Sequence, residues 1–261
     1  MAEPECDVII YIGPDRNRAA GWLVRTASSH TVNDKMALLT NLLTNRILLR
    51  AIWAPWIILP YPIRKRVTTD GIRALLCLKR AMGIFRQLEP TPPKKIFTLS
   101  FWGVPRLDPE RFSLTVDGLV ARTLSLSFDD LKSYTVVDRQ ITLDCVGGLR
   151  NIMTMRGVSL ASLLESAEPM PEADTAVFHC ADGYFTTHPL ADLTETEAFM
   201  AYEINGQDTP VHGYPLRLVA PRKYGYKWAK WVVRIELASG SPLGYWERRG
   251  LPDRAWVGDI R

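Results

Sequence analysis

Cysteine is scarce and scattered: Cys6, Cys77, Cys145 and Cys180 include no pair at C-x-x-C spacing, which excludes a zinc knuckle or a thioredoxin-type motif. Isolated cysteines also argue against a disulfide framework and read as reduced thiols, which points to the cytoplasm. Long hydrophobic runs are missing as well. The most apolar stretch, Ala51 to Ile63, is 13 residues long and carries three prolines, short of the ~20 apolar residues that cross a bilayer. Neither sign of charge dominates, with 32 Lys and Arg against 28 Asp and Glu spread over both halves, so no nucleic-acid partner is expected. The first dozen residues carry acids where an export signal has a basic region, and no twin-arginine pair precedes an apolar stretch. No export signal is visible, and the expected location is cytoplasmic or peripheral to a membrane.

What is present describes a globular protein. The apolar share of 47% and charged share of 23% match soluble domains, and 261 residues can bury a self-sufficient core. The clearest boundary is Glu89 to Lys95 (EPTPPKK), whose adjacent prolines forbid regular helix. It divides residues 1–90, a mainly helical N-terminal extension, from 91–261. Helical spacing of Met36, Leu39, Leu43 and Ile47 predicts a helix over Asn33 to Trp53, and Gly71 to Gln87 reads as a second. The apolar run between them, with Trp53, Trp56 and the cluster Arg64, Lys65, Arg66, has two readings. One is an interfacial anchor giving peripheral membrane contact through residues 36–66; the other is a segment buried on the main domain.

Beyond the boundary the pattern turns to short strands. Arg111 to Leu119 alternates apolar and polar residues and ends in Asp117-Gly118, a hairpin turn pair. Further strands are expected at Val177 to Cys180, Ala198 to Ile204, Leu216 to Val219 and Trp231 to Leu237, with short capped helices opening at Ser127 and Ser159. Strands broken by single helical turns predict a mixed α+β domain rather than a doubly wound sheet.

Two stretches carry chemistry. In ITLDCVGGLR a strand ends at Cys145 and is followed at once by Gly147 and Gly148. A strand end fixes a side chain and glycines let the backbone turn away without covering it, so a thiol is displayed to a soft or high-valent metal, a redox reaction or an electrophile. A buried cysteine acting as a small apolar residue is the competing reading. The second stretch, VHGYPLRLVAPRKYGYKWAKW, gathers His212, Arg217, Arg222, Lys223, Lys227 and Lys230 with Tyr224, Tyr226, Trp228 and Trp231. Cations beside aromatic planes suit a phosphorylated ring compound; a solvated basic loop is the plainer reading, and a nucleic-acid surface a third. Elsewhere, His188 in YFTTHPL could line a substrate pocket but fits an ordinary turn before proline, His179 alternates on a strand as a structural residue, and Arg150 could supply charge for an anionic substrate or sit on the surface.

The blocks RFSLTVDGL, LDCVGGL, AYEINGQDTP, HGYPLRLVAPRKYGYKWAKWVVRIEL and GYWERRG, in that order, resemble the sulfite oxidase family of molybdopterin-binding oxidoreductases over about Phe97 to Arg261. The resemblance implies a mixed β-sheet, sulfite-oxidase-like fold. It implies molybdenum and molybdopterin as cofactors, with Cys145 the catalytic residue and the metal ligand. His212 and Arg217 then contact the pterin, Lys227, Trp228 and Lys230 wrap its phosphate end, and Cys180 stands near the pterin. It further implies oxygen-atom transfer coupled to two-electron redox on a small sulfur- or nitrogen-containing substrate of sulfite or sulfoxide type. One departure matters: animal and plant sulfite oxidases carry Arg-Asn-His where this chain has Leu99-Ser100-Phe101, so an arginine useful for sulfite is missing. His30 alone in the N-terminal part argues against a bis-histidine haem site there, so electrons are expected to pass to a separate cytochrome or quinone-linked partner. The alternative is a non-catalytic binding or scaffold module of the same fold.

Overall fold

The computed structural model describes residues 9–11, 56, 58–81, 90–91, 96–100 and 103–258. The expected helix over Asn33 to Trp53 lies outside the described residues, as do Cys6, His30 and the 82–87 end of the second expected helix. The chain divides into two compact units, one of residues 1–60 and 91–104, the other of 61–90 and 105–261. Residues 61–90 belong with the strand-rich unit. In the first unit β1 (Ile9–Tyr11) pairs in parallel with β2 (Thr98–Ser100).

The second unit opens with α1 (Tyr61–Ala81), which starts ten residues before the expected Gly71. Pro62 falls in its first turn, where no N–H is required and a fixed φ helps. On its inner side, Ile72 and Leu76 pack with Val146, Tyr224, Tyr226 and Ala255. Lys65 Nζ donates to Asp253 at 2.6 Å and the Tyr61 hydroxyl to the Leu251 carbonyl at 3.4 Å, tying the helix to the C-terminal segment. No helix among the described residues is long and apolar enough to cross a membrane.

Two sheets follow, built from β3 (Ser113–Gly118), β4 (Leu124–Ser127), α2 (Phe128–Lys132), β5 (Val136–Asp144), β6 (Arg150–Ser159), α3 (Leu160–Ala167), β7 (Thr175–Cys180), β8 (Phe185–Pro189), α4 (Leu190–Glu195), β9 (Phe199–Ile204), β10 (Arg217–Val219) and β11 (Val232–Ala238). One sheet runs β10-β9-β6-β5, all antiparallel; the other runs β4-β3-β11-β7-β8, with β3 and β11 parallel. This is the mixed α+β architecture the alternating pattern predicts. Helix α3 turns Leu160, Leu163, Leu164 and Ala167 inward and touches β3 of one sheet and β6 and β9 of the other, so it joins them. Helix α2 begins with a reciprocal cap, Ser127 Oγ accepting from Asp130 N at 3.1 Å and the Asp130 carboxylate from Ser127 N at 2.9 Å. Phe128 behind it meets Phe112, Tyr202 and Tyr214 edge-on.

The Asp117-Gly118 pair is not the two-residue hairpin turn its composition suggests. Five residues separate β3 from β4, and Gly118, at φ +88°, lies where a Cβ would overlap the Leu237 carbonyl of β11. A close parallel strand, not a tight turn, demands the glycine. Gly157 is the second such position. It sits at the register shift between β6 and β9, and a Cβ there would overlap the Met200 carbonyl and stand 2.5 Å from Ala201 Cα. Gly157→Ala should therefore lower stability by at least about 1–3 kcal/mol, since the obstacle is backbone that cannot rotate aside; chemical denaturation reads this directly.

Candidate functional site

Strands β5 and β6 pair along their whole length down to Asp144 opposite Arg150, and the turn joining them begins with Cys145. The Cys145 N–H donates to the Leu149 carbonyl at 2.8 Å and Gly148 N–H to the Cys145 carbonyl at 2.8 Å, a closed turn that holds Gly148 at φ +81°. Gly147 N–H donates to Cys145 Sγ at 3.4 Å. The sulfur is partly exposed, on a rigid turn, with an amide aimed at it. The thiolate is the form of such a side chain that ligates metals. The buried-thiol reading of Cys145 does not describe this geometry. Arg150 lies in the same turn, its guanidinium 2.7 Å from the Asp144 carboxylate, where it clasps the turn's two ends together.

The cationic stretch runs alongside. Asp144 forms a parallel bridge with Tyr224, and Gly225 lies against Leu143, where a Cβ would come within 3.0 Å of its side chain. Val146, next to the thiol, packs against the apolar cluster of Leu76, Tyr224 and Ala255. Upstream, the turn Pro210–His212 and Gly213 at φ +116° lead into β10, whose Arg217 donates from Nη1 to the His212 carbonyl at 2.7 Å. A Cβ on Gly213 would stand 2.9 Å from Arg217 Cβ and 3.2 Å from Lys230 Cβ, so glycine there lets the two basic stems approach. The Arg217 guanidinium lies 5.9 Å from the Trp228 ring, whose indole N–H donates to the Lys223 carbonyl at 3.0 Å.

Charge in this group is under pressure. Burial lowers Arg217 to about 10, and burial with the charge of Arg217 lowers Lys230 to about 7. His212 is held down to about 3, first by burial and then by Arg217 and Lys230, so its ring is neutral at physiological pH. Cys180, at the end of β7, is buried, and that burial, helped by Asp182, pushes its thiol well up; it remains protonated although Lys230 lies near. Arg217 takes part in no ion pair among the described residues, and its buried Nε has no hydrogen-bond partner. An oxyanion seated here would satisfy that donor and relieve the mutual repulsion, so the residues present fit a phosphate-bearing pterin, and the soft, accessible sulfur fits its metal.

A pH dependence follows. Between about 7 and the ordinary value of 10.5 the unfolded chain keeps a proton on Lys230 that the folded chain gives up. Unfolding free energy of the anion-free protein should rise as pH climbs through 7 into that window. A bound phosphate compound should restore the proton and flatten the slope. Urea titrations on either side of pH 7, with and without the anion, measure the difference.

Lys227, expected beside the phosphate, has an internal counterion. Its ammonium lies 2.5 Å from the Glu247 carboxylate and donates to the Thr187 carbonyl, with the two charged side chains 1% and 0% exposed. Lys223 is likewise paired with Asp192, which also accepts from Arg254. Sequence reasoning passed over both acids, since each is a single carboxylate far from its lysine along the chain; the only signal was that so basic a stretch adjoining a core strand needs counterions. His188 is on strand β8 rather than in a turn, fully buried, with Nε2 2.9 Å from the Lys227 carbonyl. His179, on β7, meets Glu236 at 2.8 Å in the structural role expected of it.

Comparison with known proteins adds to this geometry. A family described as an oxidoreductase molybdopterin-binding domain matches residues 101–246. The uncharacterized oxidoreductase YuiH of Bacillus subtilis is 34% identical over 61% of this chain and 84% of its own. Human mitochondrial sulfite oxidase is 31% identical over 61% of this chain, which spans only 35% of that protein's length. The sulfane dehydrogenase SoxCD of Paracoccus pantotrophus shares the fold, with a TM-score of 0.56 at 24% identity over 60% of this chain and 45% of that one.

Proposed function

Because this chain belongs to the oxidoreductase molybdopterin-binding domain family, we propose that it moves an oxygen atom to or from a small sulfur- or nitrogen-containing substrate of sulfite or sulfoxide type, exchanging two electrons with a separate carrier. Family membership gives molybdopterin as the cofactor class and oxidoreduction as the reaction class. The cofactor, when bound, supplies the two-electron redox change and the oxygen-atom transfer. The chain's own groups hold and orient it. Cys145 provides the thiolate to molybdenum, steadied by the Gly147 amide and the Asp144–Arg150 clasp. Arg217 and Lys230 take the anionic end, His212 contributes a neutral ring, Trp228 backs Arg217, and Cys180 offers a protonated thiol beside Lys230. Lys227 contributes from within the fold, through its pair with Glu247.

The observation that carries this reading is the bridge between Asp144 and Tyr224, which runs the thiol-bearing turn beside the segment that ends in Trp228 and Lys230. Sulfite is not singled out, since the chain has Leu99-Ser100-Phe101 in place of Arg-Asn-His. Metal and pterin analysis of protein purified from a cofactor-replete host tests the reading, followed by a screen of sulfite, sulfoxides and N-oxides with artificial electron carriers. Near-equimolar molybdenum and pterin with turnover on one substrate class is expected. A pure, folded preparation holding neither would sink it in favour of a scaffold.

A further inference from the structure

Helix α1 (Tyr61–Ala81) has one face against the body of its unit and another whose side chains are exposed. Ile63, Val67, Leu75 and Leu78 are 49%, 51%, 42% and 57% exposed, and Gly71 and Ala74 are exposed beside them. At about 100° per residue, positions 63, 67, 71, 74 and 78 fall on one stripe, with 75 at its edge. Arg66 and Arg73, both exposed, flank the stripe on one side, with Asp70 between them and the stripe and 3.5 Å from Arg73. The helix sequence holds six Lys or Arg and a single acid, Asp70. An aliphatic strip with a basic margin is the composition of a docking surface, not of a solvated helix.

Where the helix sits decides what docks. Its inner residues Ile72 and Leu76 belong to one apolar cluster with Tyr224 and Val146, and Val146 adjoins Cys145 in the chain. The outer face is therefore about one helix diameter, some 10 Å, from the turn that presents the thiol. Resting on the function proposed above, which requires electrons to enter or leave through a carrier, we propose that the exposed face of α1 docks a one-electron carrier protein with an acidic surface. In the oxidising direction the balance is substrate plus one water giving oxygenated substrate, two protons to solvent, and two electrons passed singly to two oxidised carrier molecules. The apolar strip gives the contact its buried centre, and the basic margin steers an acidic partner onto it and makes association sensitive to salt.

The test uses the full-length, cofactor-loaded chain and an acidic single-haem c-type cytochrome as probe. Arg66→Glu with Arg73→Glu, and separately Val67→Asp with Leu78→Asp, should each slow electron exchange with the cytochrome at least about tenfold, a change of about 1.4 kcal/mol, while turnover with a small-molecule dye stays within about twofold. Cytochrome rates unchanged in both variants would overturn the proposal. So would loss of binding to phosphatidylglycerol vesicles with the cytochrome rate intact, which would make the face a lipid contact. Absence of turnover with any dye in the parent protein is a failure of the proposed function instead, and the docking is then read without turnover. A benzophenone placed on exposed Cys77 should cross-link the cytochrome in low salt and lose that product in the Arg66→Glu, Arg73→Glu variant. A parent that gives no cross-link disproves the docking face.

Discussion

Cys145→Ser should cut substrate turnover by more than about 100-fold while leaving much of the pterin in place. Loss of groups that merely orient a metal ligand costs about 10- to 100-fold, so loss of the ligand sulfur must cost more. A serine hydroxyl is hard, poorly ionised at neutral pH and shorter in reach than a thiolate. The pterin should stay because the grip proposed for its anionic end, Arg217 and Lys230, is separate from the thiol. X-ray absorption at the molybdenum edge gives a reading independent of activity, since the variant should lose a sulfur scatterer. A variant with the parent's edge spectrum and turnover would remove Cys145 from the metal site. The parallel change Cys180→Ser should be far milder, because that thiol is protonated and buried and would be replaced by a group of similar size.

Glu247→Ala should destabilise the fold by about 3–5 kcal/mol, the cost of leaving a buried charge without its partner. Lys227 and Glu247 are both sealed from solvent, and the carboxylate also accepts from Thr186 at 3.3 Å. For a domain of this size that loss lowers Tm by the order of 10 °C, measured by calorimetry or urea unfolding. The companion variant Lys227→Met, Glu247→Gln removes both charges and should recover much of the loss, a coupling that a double-mutant cycle quantifies. The pair also separates two roles for Lys227. A lysine that holds the fold loses stability first when changed to methionine; one that grips a phosphate would lose pterin content with stability preserved.

Much of the fold around the candidate site could be read from the sequence because its parts are local. The alternation in β3, the capped starts of α2 and α3, and the Cys-x-Gly-Gly turn each follow from neighbours within a few residues. What escaped was set by distant partners. Phe185 to Pro189 reads as a polar turn before proline, yet it is strand β8, since Thr186 and His188 find hydrogen bonds in Glu247 and the Lys227 carbonyl. Such partners override the turn preference of these residue types. The same Glu247 converts Lys227 from a surface cation to an interior one, and no spacing rule connects the two. Asp117-Gly118 misled for a related reason, because the demand on Gly118 comes from β11 across the sheet.

The contact between Leu143 and Gly225, with the Asp144–Tyr224 bridge beside it, ties the fates of two remote stretches. A chimera that imports residues 211–231 from a relative with a side chain at position 225, while keeping the native 141–150, would press that side chain on Leu143 and shift the turn that carries the thiol. In descent, the two stretches should travel as a unit: bulk gained at position 225 must be matched by bulk shed at 143.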